Sequence, residues 1–247
     1  MKDWIKGRVV AKRQWNHRLY SLQFDAPVEA FKAGQFTQVA LDVGEERVGR
    51  PYSLVNPPQE RPLEIYFNAI PEGPLTPRLS DLEPGDNIWV TAKAGGIFTM
   101  DAMPGARDLW LIATGTALGV YLSILRTPDP WERFERIFLV HGVRSADELA
   151  YADTIGFLRD THGERFRFLP SFSREQREGV LHGRIQPILN SGALEAQAGA
   201  VIEAEHSHMM LCGQADMIKD VRAFLEARGM RRHRRNEPGH YTTEQYH

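Results

Sequence analysis

The chain has 247 residues, with 30 Lys+Arg against 32 Asp+Glu, 42% hydrophobic and 25% charged residues, enough for one large domain or two small ones with a real core. Its net charge of −2 argues against a general nucleic-acid binder, whose affinity needs a basic surface. The single cysteine, Cys212, excludes an internal disulfide framework and fits a reducing compartment. The opening MKDWIKGRVV carries charge within its first six residues and has no apolar signal core. No stretch approaches the ~20 uninterrupted apolar residues of a membrane span. The expectation is a globular cytoplasmic protein that binds neither nucleic acid nor membrane.

Along residues 1 to about 100 the pattern is one of short strands parted by turn residues. Ile5–Ala11, Leu19–Phe24, Phe36–Leu41, Pro51–Val55, Leu63–Ala69 and Ile88–Ala92 are bounded by Ala33-Gly34, Asn56-Pro57-Pro58 and Pro84-Gly85-Asp86. Six strands at this spacing predict a small antiparallel barrel or sandwich. A short helix is predicted at Pro77–Leu82, capped by Thr76 and started by Pro77.

From about residue 108 the pattern changes. Leu109–Ala113, Ile137–Val140, Phe166–Leu169 and Met209–Cys212 are apolar runs of the kind that forms strands buried on both faces. Between and after them Ala117–Leu125, Glu148–Arg159, Ile185–Asn190 and Met217–Arg228 read as helices. Strands alternating with helices predict parallel βαβ units and a doubly wound sheet. The boundary is expected in Asp101–Asp108, at Met103-Pro104-Gly105.

Four constellations have chemical potential. Arg50-Pro51-Tyr52-Ser53 combines a phosphate-holding Arg, a ring for stacking and a hydroxyl, although taken alone it reads first as an ordinary strand with a surface Arg and a packed Tyr. Gly73-Pro74-Leu75-Thr76-Pro77 opens a helix whose first N–H groups suit an anion, or is a plain turn. Thr114-Gly115-Thr116-Ala117-Leu118-Gly119 follows a buried strand and opens a helix, as a pyrophosphate turn does, without being a GxGxxG fingerprint. Arg144, Arg174 and Arg184, with Cys212-Gly213, stand after predicted parallel strands, where ligands of open α/β sheets bind. Converging arginines suit a phosphate monoester better than the hydroxyls of a plain ribose. Two further features are ambiguous. The run Arg231, Arg232, Arg234, Arg235 is either a solvated loop or a docking patch for an acidic partner. Glu244 is a proton donor, a polar contact or merely exposed. The nine histidines have no metal-ligand spacing such as HExxH, and one Cys cannot build a zinc or iron–sulfur site.

In their order along the chain, these motifs resemble those of the ferredoxin–NADP reductases. The ending Pro238–His247 is similar to the short bacterial form, also called ferredoxin (flavodoxin)–NADP reductase. The resemblance implies a two-domain β + α/β protein. A six-stranded antiparallel FAD-binding barrel would occupy 1–101, and a doubly wound parallel-sheet NADP-binding domain 102–247, its tail returning to the flavin. It implies that Arg50 and the backbone of Pro74, Leu75 and Thr76 meet the FAD pyrophosphate. Tyr52 stacks on the isoalloxazine beside Pro51, Ser53 lies near N5, and Tyr66 and Thr116 line the FAD. Val143, Arg144, Ser173, Arg174 and Arg184 hold the 2′-phosphate end of NADP(H), while Gln214, Ala215, Asp216 and Asp220 line the same cofactor. Ser53, Cys212, Glu244 and Tyr246 form the reacting set, with Tyr246 and His247 as the tail over the flavin. The chain departs from the family at Val120, where Pro usually follows the Gly-rich turn, and at His247, where an aromatic residue often packs on adenine. The activity implied is hydride exchange with NADP(H) and single-electron exchange with ferredoxin or flavodoxin, running from NADPH to the carrier, by a monomer without a metal. The rival is a flavoprotein reductase component of an oxygenase system. Its usual iron–sulfur module is excluded within a chain that has one Cys.

Overall fold

The structure, a computed structural model, describes residues 3–234 and 236–246. The first half contains β1 (Trp4–Gln14), β2 (Leu19–Asp25), β3 (Phe36–Val43), β4 (Glu46–Ser53), β5 (Leu63–Asn68), α1 (Thr76–Asp81) and β6 (Asn87–Thr91). The strands pair antiparallel in the order β4-β3-β6-β1-β2-β5, and a bridge between Leu54 and Ile65 joins the two edges into a barrel. Side chains alternate across each strand, so Leu22, Phe24, Val39, Ile65 and Val90 reach the interior, all of them fully buried. The expected cap of α1 does not form. Thr76 Oγ1 accepts the Ile70 N–H at 2.9 Å, and Leu75 stands at the N-cap. A hydroxyl that ties down the preceding loop is unavailable to the helix.

The second half contains β7 (Asp108–Thr114), α2 (Leu118–Leu125), α3 (Asp129–Arg133), β8 (Arg136–Val143), α4 (Ala152–His162), β9 (Phe166–Phe172), β10 (Leu181–His182), α5 (Ile185–Asn190), α6 (Ala193–Ala198), β11 (Ser207–Gly213), α7 (Ala215–Ala227) and β12 (Tyr241–Gln245). All six strands run parallel, in the order β10-β9-β8-β7-β11-β12. The chain therefore winds outward from β7 to β10, then returns to the other side of β7 as β11. The topological switch point lies between β7 and β11, where open α/β sheets bind ligands. Trp110 of β7 stacks on Phe138 of β8 at 4.2 Å, within a core that also takes Leu211 and Val221. At the opposite end of β7, Asp108 is fully buried and receives Arg136 at 2.7 Å and Arg107 at 2.9 Å. Burial pushes its carboxyl up, but these guanidinium hydrogen bonds outweigh it and hold it below the ordinary range.

The chain divides into two compact units, Met1–Thr99 with Gly119–Thr127, and Met100–Leu118 with Pro128–His247. Although α2 follows β7 in the chain, it belongs to the first unit. Its Ser123 Oγ donates to Asn56 O at 2.9 Å, and Arg126, just past its end, pairs with Glu60. A boundary at residue 101 therefore misplaces this helix, whose polar anchors lie some sixty residues away in sequence.

Candidate active site

In the first unit, β4 presents Arg50, Pro51, Tyr52 and Ser53 at its carboxyl end. Arg50 and Pro51 are exposed, Tyr52 is half-buried and Ser53 is buried. The Tyr52 ring meets Phe67 edge-on at 6.2 Å, which fixes its plane, and burial pushes its phenol far up, so it is neutral. Arg50 Nη1 donates to its neighbour Gly49 O at 2.9 Å, and no carboxylate pairs with it among the described residues. A guanidinium held by one carbonyl keeps most of its donors for an oxyanion. Tyr66 is buried on β5, and Pro74 and Leu75 lead into α1. Such a set suits a flat ring carrying a phosphate tail, the chemistry of FAD.

In the second unit, the predicted nucleotide residues collect along one edge of the sheet. Val143 ends β8, and the ladder continues past it. Ser173 N donates to Val143 O at 3.0 Å and Arg174 N to Arg144 O at 2.8 Å. Carboxylates secure these loops, Glu148 accepting Arg144 N–H at 3.0 Å and Glu175 accepting Ala146 N–H at 2.8 Å. Ser171 Oγ donates to Gly183 O at 2.6 Å, which brings Arg184 alongside. Adjacent strands lie ~4.8 Å apart, so Arg144, Arg174 and Arg184 become neighbours. All three are exposed. Arg144 has Glu148 at 3.8 Å; Arg174 and Arg184 have no carboxylate partner among the described residues. The Glu148 and Glu175 supports carry no sequence signal of their own, because their partners are backbone atoms.

At the switch point, Thr114 precedes a short 3-10 turn, Gly115–Ala117, which holds Thr116. His141 was not predicted to matter here, yet its Nε2 meets Gly115 O at 2.9 Å. Burial lowers its pKa to about 4, so the ring is neutral and its one proton sits on Nε2, donating to that carbonyl. Across from it, Gly213 adopts φ +146°, and a Cβ there would stand 2.1 Å from Thr114 Oγ1. That oxygen accepts Gln214 N–H at 3.3 Å. Gln214, Ala215, Asp216 and Asp220 follow, all exposed on the first turns of α7 or just before it.

Beside Gly213 the reacting candidates converge. β12 pairs with β11 so that Glu244 is opposite Cys212, and Tyr246 N donates to Gly213 O at 2.9 Å. The Tyr246 hydroxyl hydrogen-bonds the Cys212 sulfur. Burial and then the Glu244 charge push the thiol well up, so Cys212 is a protonated packing group. Glu244 is half-buried rather than exposed, its Oε2 is buried without a hydrogen-bond partner among the described residues, and burial raises its pKa to about 7. A carboxylate oxygen left open in this way suits an amide N–H2, the group a nicotinamide offers. His247 lies outside the described residues, as does Arg235 of the basic run. Arg231, Arg232 and Arg234 lie before the start of β12, where Arg232 bridges to Tyr241. They are thus at the end of that strand away from Tyr246, about 16 Å along it. Among the described residues no group of three His, Cys, Asp or Glu is placed to hold a metal, and no helix is long and apolar enough to cross a membrane.

Residues 111–223, most of which lie in the second unit, match the oxidoreductase NAD-binding domain family. Over its whole length the chain is 42% identical to the flavodoxin/ferredoxin–NADP reductase of Escherichia coli K12, with all of both chains covered. It is 34% identical to the ferredoxin–NADP reductase of Pseudomonas aeruginosa, covering 99% of this chain and 98% of that one. A crystal structure of a ferredoxin NADP+ reductase from Neisseria gonorrhoeae with bound FAD and NADP superposes with a TM-score of 0.93 at 27% identity, covering 99% of each chain. The chain belongs to the flavodoxin/ferredoxin–NADP reductase family, and it is an oxidoreductase.

Proposed function

We propose that this protein is a cytoplasmic, monomeric reductase that takes hydride from NADPH and delivers single electrons to ferredoxin or flavodoxin, with FAD in the first unit and NADP(H) on the second. The arginine edge carries the reading. Arg144, Arg174 and Arg184 stand on neighbouring strand ends, and the last two lack a carboxylate partner among the described residues. From β10 to β11 the edge crosses four inter-strand steps, about 19 Å, the reach of an extended dinucleotide. Its 2′-phosphate end then meets the arginines while its nicotinamide meets Cys212, Glu244 and Tyr246. Both half-sites belong to one chain, so a monomer suffices.

When bound, FAD supplies the exchange between a two-electron hydride donor and one-electron carriers. The chain's own residues do the rest. Arg50 and the backbone of Pro74–Thr76 hold the pyrophosphate, Tyr52 stacks on the flavin, and Ser53 offers a hydroxyl at its reacting edge. Val143 and Ser173 flank the arginines, and Thr116 is held in its turn through the His141 bond to Gly115. Glu244 Oε2 accepts from the carboxamide and sets the ring face, with Tyr246 beside it just past the end of β12.

Purified protein should be yellow, with one FAD released per chain by acid, and anaerobic NADPH should bleach the flavin band. Adding oxidised flavodoxin or ferredoxin should then restore it. FMN in place of FAD, or a flavin that NADPH leaves unchanged, would refute the proposal.

A further inference from the structure

At the amino end of the second unit's sheet, opposite the nucleotide edge, a cleft of about 290 Å³ is lined by Arg222, Glu226, Met230, Arg231, Arg232, Arg234, Glu237 and Tyr241. Four guanidinium groups face two carboxylates there, an excess of two positive charges. Each carboxylate already has its arginine. Glu226 takes Arg222 at 3.3 Å and the Tyr241 hydroxyl at 2.6 Å, and Glu237 takes Arg234 at 3.6 Å. Arg231 donates through Nε to Pro238 O at 3.1 Å, which steadies the side chain and leaves its two Nη groups for another acceptor. Among the described residues neither Arg231 nor Arg232 has a carboxylate partner.

The backbone beneath them is built for close approach. Arg231 O accepts His240 N–H at 2.8 Å, and Arg231 N donates to His240 Nδ1 at 3.0 Å. A Cβ on Gly239 would stand 2.5 Å from the Arg232 carbonyl, so the two segments close up only because Gly239 has none. The two uncompensated arginines are therefore mounted on a doubly tied segment rather than on a free loop.

We propose that this cleft is a second anion site, separate from the nucleotide edge, for a small phosphate-bearing anion of two or more negative charges, such as a phosphate monoester or diphosphate. Its charge excess matches two negative charges, and planar arginine forks match phosphate oxygens. Its volume lies at the lower limit of the ~300–1,000 Å³ typical of small-molecule sites. The cleft is about 16 Å along β12 from Tyr246, at the end of that strand away from the reacting set. An occupant would brace the start of β12, the strand that carries Glu244.

The test is thermal unfolding of the holoenzyme, saturated with NADP+ so that the nucleotide edge is filled, titrated with inorganic pyrophosphate against sodium chloride at equal ionic strength. The expected result is a saturable rise of about 3–5 °C at ten times Kd, lost in Arg231→Ala/Arg232→Ala, weakened in Arg232→Gln, since the Arg232 side chain has no hydrogen bond or ion pair among the described residues, but kept in Arg174→Ala. No saturable rise would overturn the proposal. So would a rise that survives both changes in the cleft but disappears with Arg174→Ala, which would return the anion to the nucleotide edge. Loss of ferredoxin reduction in Arg232→Gln without any pyrophosphate effect would make these arginines a protein-docking surface and overturn it equally.

Discussion

Glu244 shows how far one residue can depart from its sequence neighbourhood. In Tyr-Thr-Thr-Glu-Gln-Tyr it looks like any surface glutamate, yet pairing against the fully buried β11 desolvates it and raises its pKa to about 7. The unfolded chain ionises this group near its ordinary value of 4.5, so its contribution to stability is complete below that pH. It is lost as pH rises toward 7, and levels off above. Unfolding of Glu244→Gln followed by denaturant should therefore gain on the native protein between pH 5 and 7 and run parallel above it. Hydride transfer from NADPH should show an inflection near pH 7 that the Gln variant lacks. A native profile without that inflection, or a variant that keeps it, would separate Glu244 from the reaction. Glu244 was legible only as a candidate, the arginines by their place as well. Their identity and their place after apolar strands are written in the chain, whereas the burial of Glu244 comes from a strand partner more than thirty residues away.

At the scale of elements, apolar strands were legible and polar edges were not. β7, β8 and β11 are continuous hydrophobic runs, but β10 has two residues and β12 is largely Thr, Glu and Gln. The parallel sheet therefore has six strands where periodicity finds four. β12 is held by its backbone ladder to β11 and by Tyr241, which is fully buried at its start. The failed cap on α1 has a similar origin, since Thr76 has a choice of partners that spacing alone does not resolve. β11 also buries His208, whose two ring nitrogens lack hydrogen-bond partners among the described residues. Burial, then the nearby His233, His240 and Arg133, lowers its pKa to about 3. Such a ring is neutral in the fold and takes a proton readily once unfolded, so stability is full above pH ~6.5 and falls below it, by up to about 1.4 kcal/mol per pH unit. His208→Leu should lose less stability than the native protein between pH 6.5 and 4.5, leaving the share due to His141. Parallel acid curves for the two proteins would mean that His208 is already paired or hydrated.

At the scale of the whole molecule, the chain order of motifs was the strongest signal. Each turn alone is compatible with an ordinary strand or loop, but their sequence from Arg50 to Tyr246 matches one family over the full length. The parting of the chain was less legible, because α2 sits by sequence between β7 and β8 and is held by polar bonds to Asn56 and Glu60. The proposed basis of cofactor choice in the second unit is the arginine edge, which forms only when β8, β9 and β10 lie side by side. The decisive measurement is kcat/KM for NADPH and for NADH in the native protein, Arg174→Ala and Arg184→Ala. A charge-assisted bond to the 2′-phosphate is worth about 1.5–3 kcal/mol, so each substitution should lower kcat/KM for NADPH by about 10- to 150-fold and leave that for NADH nearly unchanged. Equal losses with both coenzymes, or none with either, would contradict a 2′-phosphate site on this edge of the sheet.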